Sequence, residues 1–299
     1  METGDPEKHK RVASPRPGHA DLAGALKYNF PEARYVLERS SARETAARVA
    51  AGAMAKLLLR ELGIEVLSHV LSVGTISISA EGITWEQIEA LARRDEVLLN
   101  CANPAAEERM KAEVDAATEA RDTLGGIFEV RAHNVPPGLG TYANWDERLD
   151  SRLAGAVMSI QAVKAVEIGS GAVATVSRGS AVHDEIGYDA GHAAFTRPSN
   201  RAGGMEGGVS NGEDIVVRGY LKPISTLRRP LESVDFETRE PVKAAYERSD
   251  ICVVPAAGVV GEAMVALVLA QAALEKFGGD SLGETKRNFA AYLAQVKEY

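Results

Sequence analysis

With 299 residues, 45% of them hydrophobic and 25% charged, the chain can bury a full-sized core and is too apolar to be disordered. A formal net charge of -8 leaves no basic surplus to displace phosphate counterions, which excludes a general nucleic-acid binder. Cys101 and Cys252 form neither a disulfide framework nor a CxxC pair, so a reducing, cytoplasmic setting without a metal site is expected.

Residues 1–13 read as a loop and carry no signal peptide. Residues 14–21, SPRPGHAD, follow; their two prolines and glycine fix an extended turn that presents Arg16 and His19. An imidazole held there can exchange protons near neutral pH. In residues 38–63, Ser41 and Glu44 have capping-box spacing, which predicts a helix over 42–62 that Gly63 stops. Its small residues recur on nearly every side, so burial all round is expected. Arg39, Ser40, Ser41 and Arg43 gather at its start beside unpaired backbone amides, a combination that suits phosphate.

Residues 64–73 alternate as a strand does. Thr84 with Gln87 caps a short helix. Asn103-Pro104 opens another, polar on most faces and expected to be exposed, which Gly125-Gly126 closes before a strand at 127–133. After the turn at Pro136-Pro137-Gly138, residues 151–168 read as a second small-residue helix, and 169–212 as a long Gly/Ser-rich loop. Within that loop Val182-His183-Asp184-Glu185 is a surface turn, since adjacent polar residues are not a metal-ligand spacing. The run from Gly203 to Gly208 neither follows a strand nor opens a helix, so it is no dinucleotide fingerprint, though it lets backbone pass close to a flat ligand.

A strand at 215–227 ends in Lys222-Pro223-Ile224-Ser225-Thr226, which sets a cation and two hydroxyls at a bend. A core helix is expected over 256–275. Pro255 and Glu262 break the apolar run at 251–274 into pieces shorter than the roughly 20 residues a bilayer needs, so no membrane span is expected. Glu38-Arg39-Ser40 and Glu247-Arg248-Ser249 each introduce an Ala/Gly-rich helix, an echo that suggests two related halves within one domain spanning 1–299.

These pieces together resemble the chorismate synthase family over almost the whole chain. The likeness rests on RPGHADL (16–22), ERSSARET (38–45), LAGAVMSIQAVKAVEIGSG (153–171), VHDE (182–185), AGGMEGG (202–208), LKPISTL (221–227), SVDF (233–236) and RSDICVVPAAGVVGEA (248–263), with Ile251 a mild departure. The resemblance implies an α+β fold, a β-α-β sandwich with long small-residue helices between two antiparallel sheets, assembled as a homotetramer. It implies a 1,4-anti elimination of phosphate from 5-enolpyruvylshikimate 3-phosphate to give chorismate, the last step of the shikimate pathway, in which reduced FMN lends an electron and takes it back.

Residue by residue, His19 matches the family histidine that protonates or hydrogen-bonds reduced flavin, and Asp250 the aspartate implicated in proton removal. Arg39, Ser40, Ser41, Gln161, Ala162, Gly207, Lys222, Pro223, Ile224, Ser225, Thr226 and Arg248 match FMN-binding positions, while Arg16 and Arg43 suit the substrate's phosphate and carboxylates. Family members begin with a Gly-Glu-Ser-His-Gly segment that carries a second histidine and arginines for NADPH. Its absence before Arg16 makes the chain N-terminally truncated on this reading and ties NADPH use to that segment. A catalytically incomplete FMN- or phosphate-binding subunit is then the alternative, and a flavin-free α/β metabolic protein the plainest one.

Overall fold

The structure, a computed structural model, describes residues 11–95, 98–247 and 249–299. Along the chain come α1 (Asp21–Tyr28), α2 (Arg34–Ser40), one 3-10 turn (Ala42–Glu44), α3 (Thr45–Arg60), β1 (Glu65–Val73), β2 (Ile76–Ser77), α4 (Trp85–Ala92) and α5 (Pro104–Ala120). Then follow β3 (Gly126–His133), α6 (Leu149–Met158), β4 (Val163–Ile168), α7 (Gly171–Ala174) and α8 (Gly179–Val182). Two hairpins, β5 (Gly187–Asp189) with β6 (Ala194–Thr196) and β7 (Met205–Glu206) with β8 (Val209–Ser210), lead to β9 (Ile215–Leu221). The hairpin β10 (Glu232–Val234) and β11 (Pro241–Lys243) precedes α9 (Val254–Phe277) and α10 (Leu282–Glu298).

One five-stranded sheet, ordered β2-β1-β3-β9-β4 and antiparallel throughout, is the platform. Phe128, Val130, Ile215 and Val217 face α9, which lies across that side with α3 and α6 packed against it. Glu262 of α9 ties three elements together: it accepts from Ser68 N (2.9 Å) and Ser68 Oγ (2.7 Å) of β1, and pairs with Lys56 Nζ of α3 at 2.5 Å. By length and composition α9 is apolar enough to cross a membrane, because the helix runs unbroken through Pro255 and Glu262, which the sequence pattern sets as interruptions. It lies mostly buried, as the central helix of this core.

Local signals produced the elements that carry them. Thr84 and Gln87 exchange both capping-box bonds, and Asn103 Oδ1 accepts from Ala106 N (3.0 Å) with Pro104 in the first turn. The strands at 64–73, 127–133 and 215–227 appear as β1, β3 and β9.

Three expectations are corrected. Ser41 and Glu44 form no capping box: Ser41 Oγ accepts from Arg43 N, and the Glu44 carboxylate is taken by Arg48 and Gln161, so the chain passes through a 3-10 turn before α3 begins. Nor is α3 covered all round. Gly52, Ala55 and Leu59 form its buried stripe, while Met54 and Leu57 are 74% and 61% exposed. Finally, 151–168 is not one helix. The helix α6 ends at Met158, Ala162 turns the chain with φ +69°, and residues 163–168 form edge strand β4 against β9. An Ala/Val/Ile run of that length carries no period that separates helix from strand.

Two smaller departures concern α5 and the loop at 169–212. The helix α5 buries Ala106, Glu107, Met110 and Ala117 on one face. The Glu107 carboxylate is satisfied there by Leu99 N, Cys101 N and Arg94. Within residues 169–212, the loop folds into two one-turn helices and two hairpins, where Asp184 accepts from Ser199 Oγ, Arg201 N and Ala202 N.

Candidate active site

The tight turn at 14–21 folds back on itself around one carboxylate. Asp21 opens α1 and is 0% exposed; its Oδ2 accepts from Arg16 N (3.1 Å) and Nε (2.8 Å), and its Oδ1 from Arg16 Nη2 (3.0 Å). His19 Nδ1 lies 2.5 Å from Asp21 Oδ1. Arg16 Nη1 donates to Thr226 Oγ1 at 2.8 Å, which docks the turn onto the bend after β9. Gly18, at φ +76°, gives the turn its left-handed step and offers its carbonyl to Lys222 Nζ at 2.6 Å.

From that bend, hydrogen bonds run on to the other predicted segments. Lys222 N donates to Ala162 O at 3.0 Å, with Ala162 in its left-handed conformation. Gln161 Nε2 donates to Glu44 Oε1 at 2.6 Å, which reaches the turn before α3. Arg48 and Gln161 hold the Glu44 carboxyl below its usual range, with a smaller contribution from the charge of Arg39. On the far side Ser249 Oγ donates to Thr226 O at 2.9 Å, and Thr123 Oγ1 to Ile224 O at 2.7 Å. The two echoing segments also meet, because Arg34 of α2 pairs with both Glu38 and Glu247.

The structure therefore brings together Arg16, His19, Ser41, Gln161, Ala162, Lys222, Ile224, Ser225 and Thr226, drawn from segments far apart in sequence, while Ser40 Oγ donates to Leu37 O within α2. Arg39, in the last turn of α2, and Arg43, in the 3-10 turn before α3, stand exposed, Pro223 is exposed at the bend, and exposed Asp250 follows the tethered Ser249. Arg16, only 7% exposed, spends its donors on Asp21, His19 and Thr226, so it braces the turn instead of presenting an open guanidinium. Gly207 stands apart. Its hairpin packs at the N-terminus of α6, where Leu149 N donates to Gly208 O, whereas Gln161 follows the C-terminus of that helix, about 15 Å away at 1.5 Å per residue. Arg248 lies outside the described residues. Asp21 and Glu44 were given no site role from sequence; a carboxylate two residues after the histidine in a proline-braced turn was the available signal for Asp21.

Two observations test whether a phosphorylated flavin suits this cluster. Gln161 Oε1 is buried without a partner among the described residues, an acceptor held open for a ligand N–H or O–H. Lys222 has its ammonium pKa pushed down by burial and by the nearby charge of Lys164, so an anion beside it relieves an unfavourable charge. Both fit.

A separate cleft of about 750 Å³ opens on the opposite face of the sheet, lined in part by Arg131, Glu167, Arg218 and Tyr220. On its floor Glu129 receives Arg131 Nε and Arg218 Nε, each at 2.7 Å, and His69 Nε2 at 3.0 Å. Burial and the hydrogen bond to Glu167 push the Tyr220 hydroxyl up to about 12. This network joins β1, β3, β4 and β9 across that face of the sheet.

Comparison with known proteins decides the lineage. The family model described as chorismate synthase matches residues 3–274. The chain belongs to the chorismate synthase family. A chorismate synthase of Koribacter versatilis (strain Ellin345) is 67% identical over 303 aligned residues, covering 100% of this chain and 77% of that protein. One from Acidobacterium capsulatum is 66% identical over 304 aligned residues, covering 100% of this chain and 77% of its own length. A crystal structure of chorismate synthase superposes with a TM-score of 0.80 at 44% identity, over 94% of this chain and 77% of that one. The family's α+β fold is thus the fold of this chain, and the five-stranded antiparallel sheet with α9 across it is its core.

Proposed function

We propose that this cluster carries out the family reaction: loss of phosphate from 5-enolpyruvylshikimate 3-phosphate to give chorismate, with reduced FMN bound beside the substrate. The observation that supports it most is the path that runs from Asp21 and Arg16 to Thr226, along the bend to Lys222, and on to Ala162, Gln161 and Glu44 through hydrogen bonds joined by short stretches of chain. Of its members, Thr226, Lys222, Ala162 and Gln161 match family FMN-binding positions and Arg16 a substrate-binding one, and it ends where Arg39 and Arg43 stand exposed. When bound, reduced FMN supplies an electron to the substrate and recovers it, so it is required but not consumed.

The chain's own groups do the rest. Arg39, Lys222, the Ser40 and Ser41 hydroxyls and, by family match, Arg248 hold the flavin phosphate and ribityl chain; Gln161 Oε1 accepts from the flavin. Arg43 grips the substrate's phosphate and carboxylates and stabilises the charge that leaves with phosphate. His19 holds a proton at the flavin, and Asp250 accepts the one lost from the ring. The setting is a cytoplasmic, homotetrameric enzyme of aromatic amino-acid biosynthesis, with NADPH used only by chains that carry the reductase arginines. Chorismate formation with photoreduced FMN tests the reading: His19→Ala should lower turnover by ~10²–10⁴-fold, and wild-type turnover in that variant would refute the role.

A further inference from the structure

We infer that Asp21 is a positioning residue: it takes the Nδ1–H of His19 and leaves Nε2 as the atom that gives and receives the proton. The inference rests on His19 being the acid–base group of the site. Its ground is the geometry around one fully buried carboxylate. Asp21 Oδ1 lies 2.5 Å from His19 Nδ1, and an ionised carboxylate only accepts, so the hydrogen must sit on Nδ1. The Arg16 guanidinium only donates. Its Nη2 lies 3.1 Å from Nδ1 and 3.3 Å from Nε2, nearly equidistant from the two nitrogens and aligned with neither lone pair. The tautomer is therefore set by Asp21, and Nε2 stays open to a ligand.

Asp21 is itself held from three sides of Arg16, through N, Nε and Nη2, and Arg16 is pinned to Thr226. Burial pushes the Asp21 carboxyl up, but the hydrogen bonds from His19 and Arg16 override it and keep the group well below the usual carboxylate range. It stays an acceptor throughout the neutral range. The Arg16 charge also offsets that of Asp21, so the pair fixes the ring's direction without locking a proton onto it. In serine hydrolases, loss of the aspartate that sets the histidine tautomer lowers kcat by about 10⁴.

The test combines nitrogen NMR of histidine-labelled protein with kinetics. His19→Gln identifies the His19 signals, and the full-length wild type should then show the Nδ1–H tautomer where the ring is neutral. Asp21→Asn, whose amide can donate to Nδ1, should shift the population toward Nε2–H. It should also lower kcat with photoreduced FMN by ~10²–10⁴-fold, with a smaller change in substrate KM. An Nε2–H ring in the wild type, or a wild-type tautomer and kcat in Asp21→Asn, would overturn the inference. The wild-type spectrum alone decides the matter if Asp21→Asn does not fold. Unchanged turnover in His19→Gln would instead remove the acid–base role of His19, and the inference with it, whatever the tautomer.

Discussion

Gly52 is where α3 meets α9. A Cβ placed there would lie 3.0 Å from the Ala263 carbonyl carbon and closer still to Ala263 Cα and Cβ, whereas carbon atoms settle at about 3.5–4.0 Å. Gly52→Ala must therefore push the helices apart by on the order of 1 Å. Alanine favours a helix interior over glycine by ~1 kcal/mol, and overpacking costs ~1–3 kcal/mol, so a net loss of up to ~2 kcal/mol is expected. Gly155 of α6 is the control: a Cβ added at that position would meet nothing within 4 Å, so Gly155→Ala should stabilise by ~1 kcal/mol. The same chemical change should thus carry opposite signs at the two sites, read as denaturant midpoints at constant m-value. The turn leading into α3 carries Arg43 and Glu44, so Gly52→Ala should also weaken FMN binding while Gly155→Ala does not. Equal stabilisation by both substitutions would refute a direct α3–α9 backbone contact.

Two further outcomes follow from the charges. Burial pushes the Glu129 carboxyl up, yet the His69 hydrogen bond and the charges of His69, Arg131 and Arg218 bring it down to about 2 from its ordinary 4.5. The stability it contributes is complete above pH 4.5 and is lost as pH falls toward 2, so Glu129→Gln should flatten that part of an unfolding-versus-pH profile; an unchanged acid slope would exclude Glu129 as its source. Lys222→Met should weaken FMN binding about tenfold and reduce its salt dependence, measured by titration at several ionic strengths. Retention of both would remove Lys222 from the phosphate site.

How much the sequence disclosed depended on how far each residue's partner lay along the chain. The caps at Thr84 and Asn103 close within three residues and were readable, as was the apolar run of α9. At Ser41 the local pattern was outcompeted, because Glu44 finds Gln161 across 117 positions of sequence. The exposure of Met54 and Leu57 was hidden for a related reason, since small residues on every side say nothing about which side a neighbour covers. Motif likeness located most of the site, but the bracing of Arg16 by Thr226 spans 210 positions and only the folded chain reveals it. Asp21 was in plain view within RPGHADL; its place at the centre of the turn depends on a burial that no local pattern encodes.

The central claim is that the turn at 14–21, the start of α3, the Gln161–Ala162 corner and the bend after β9 form one flavin and substrate site. Titrating FMN into the wild type and Gln161→Leu, with substrate present, tests it most directly. Losing the open Oε1 acceptor should weaken FMN binding about tenfold, at ~1.4 kcal/mol per factor of ten, while loss of the Nε2 bond to Glu44 lowers the thermal midpoint by only a few degrees. Equal FMN affinity in the two proteins would contradict the account.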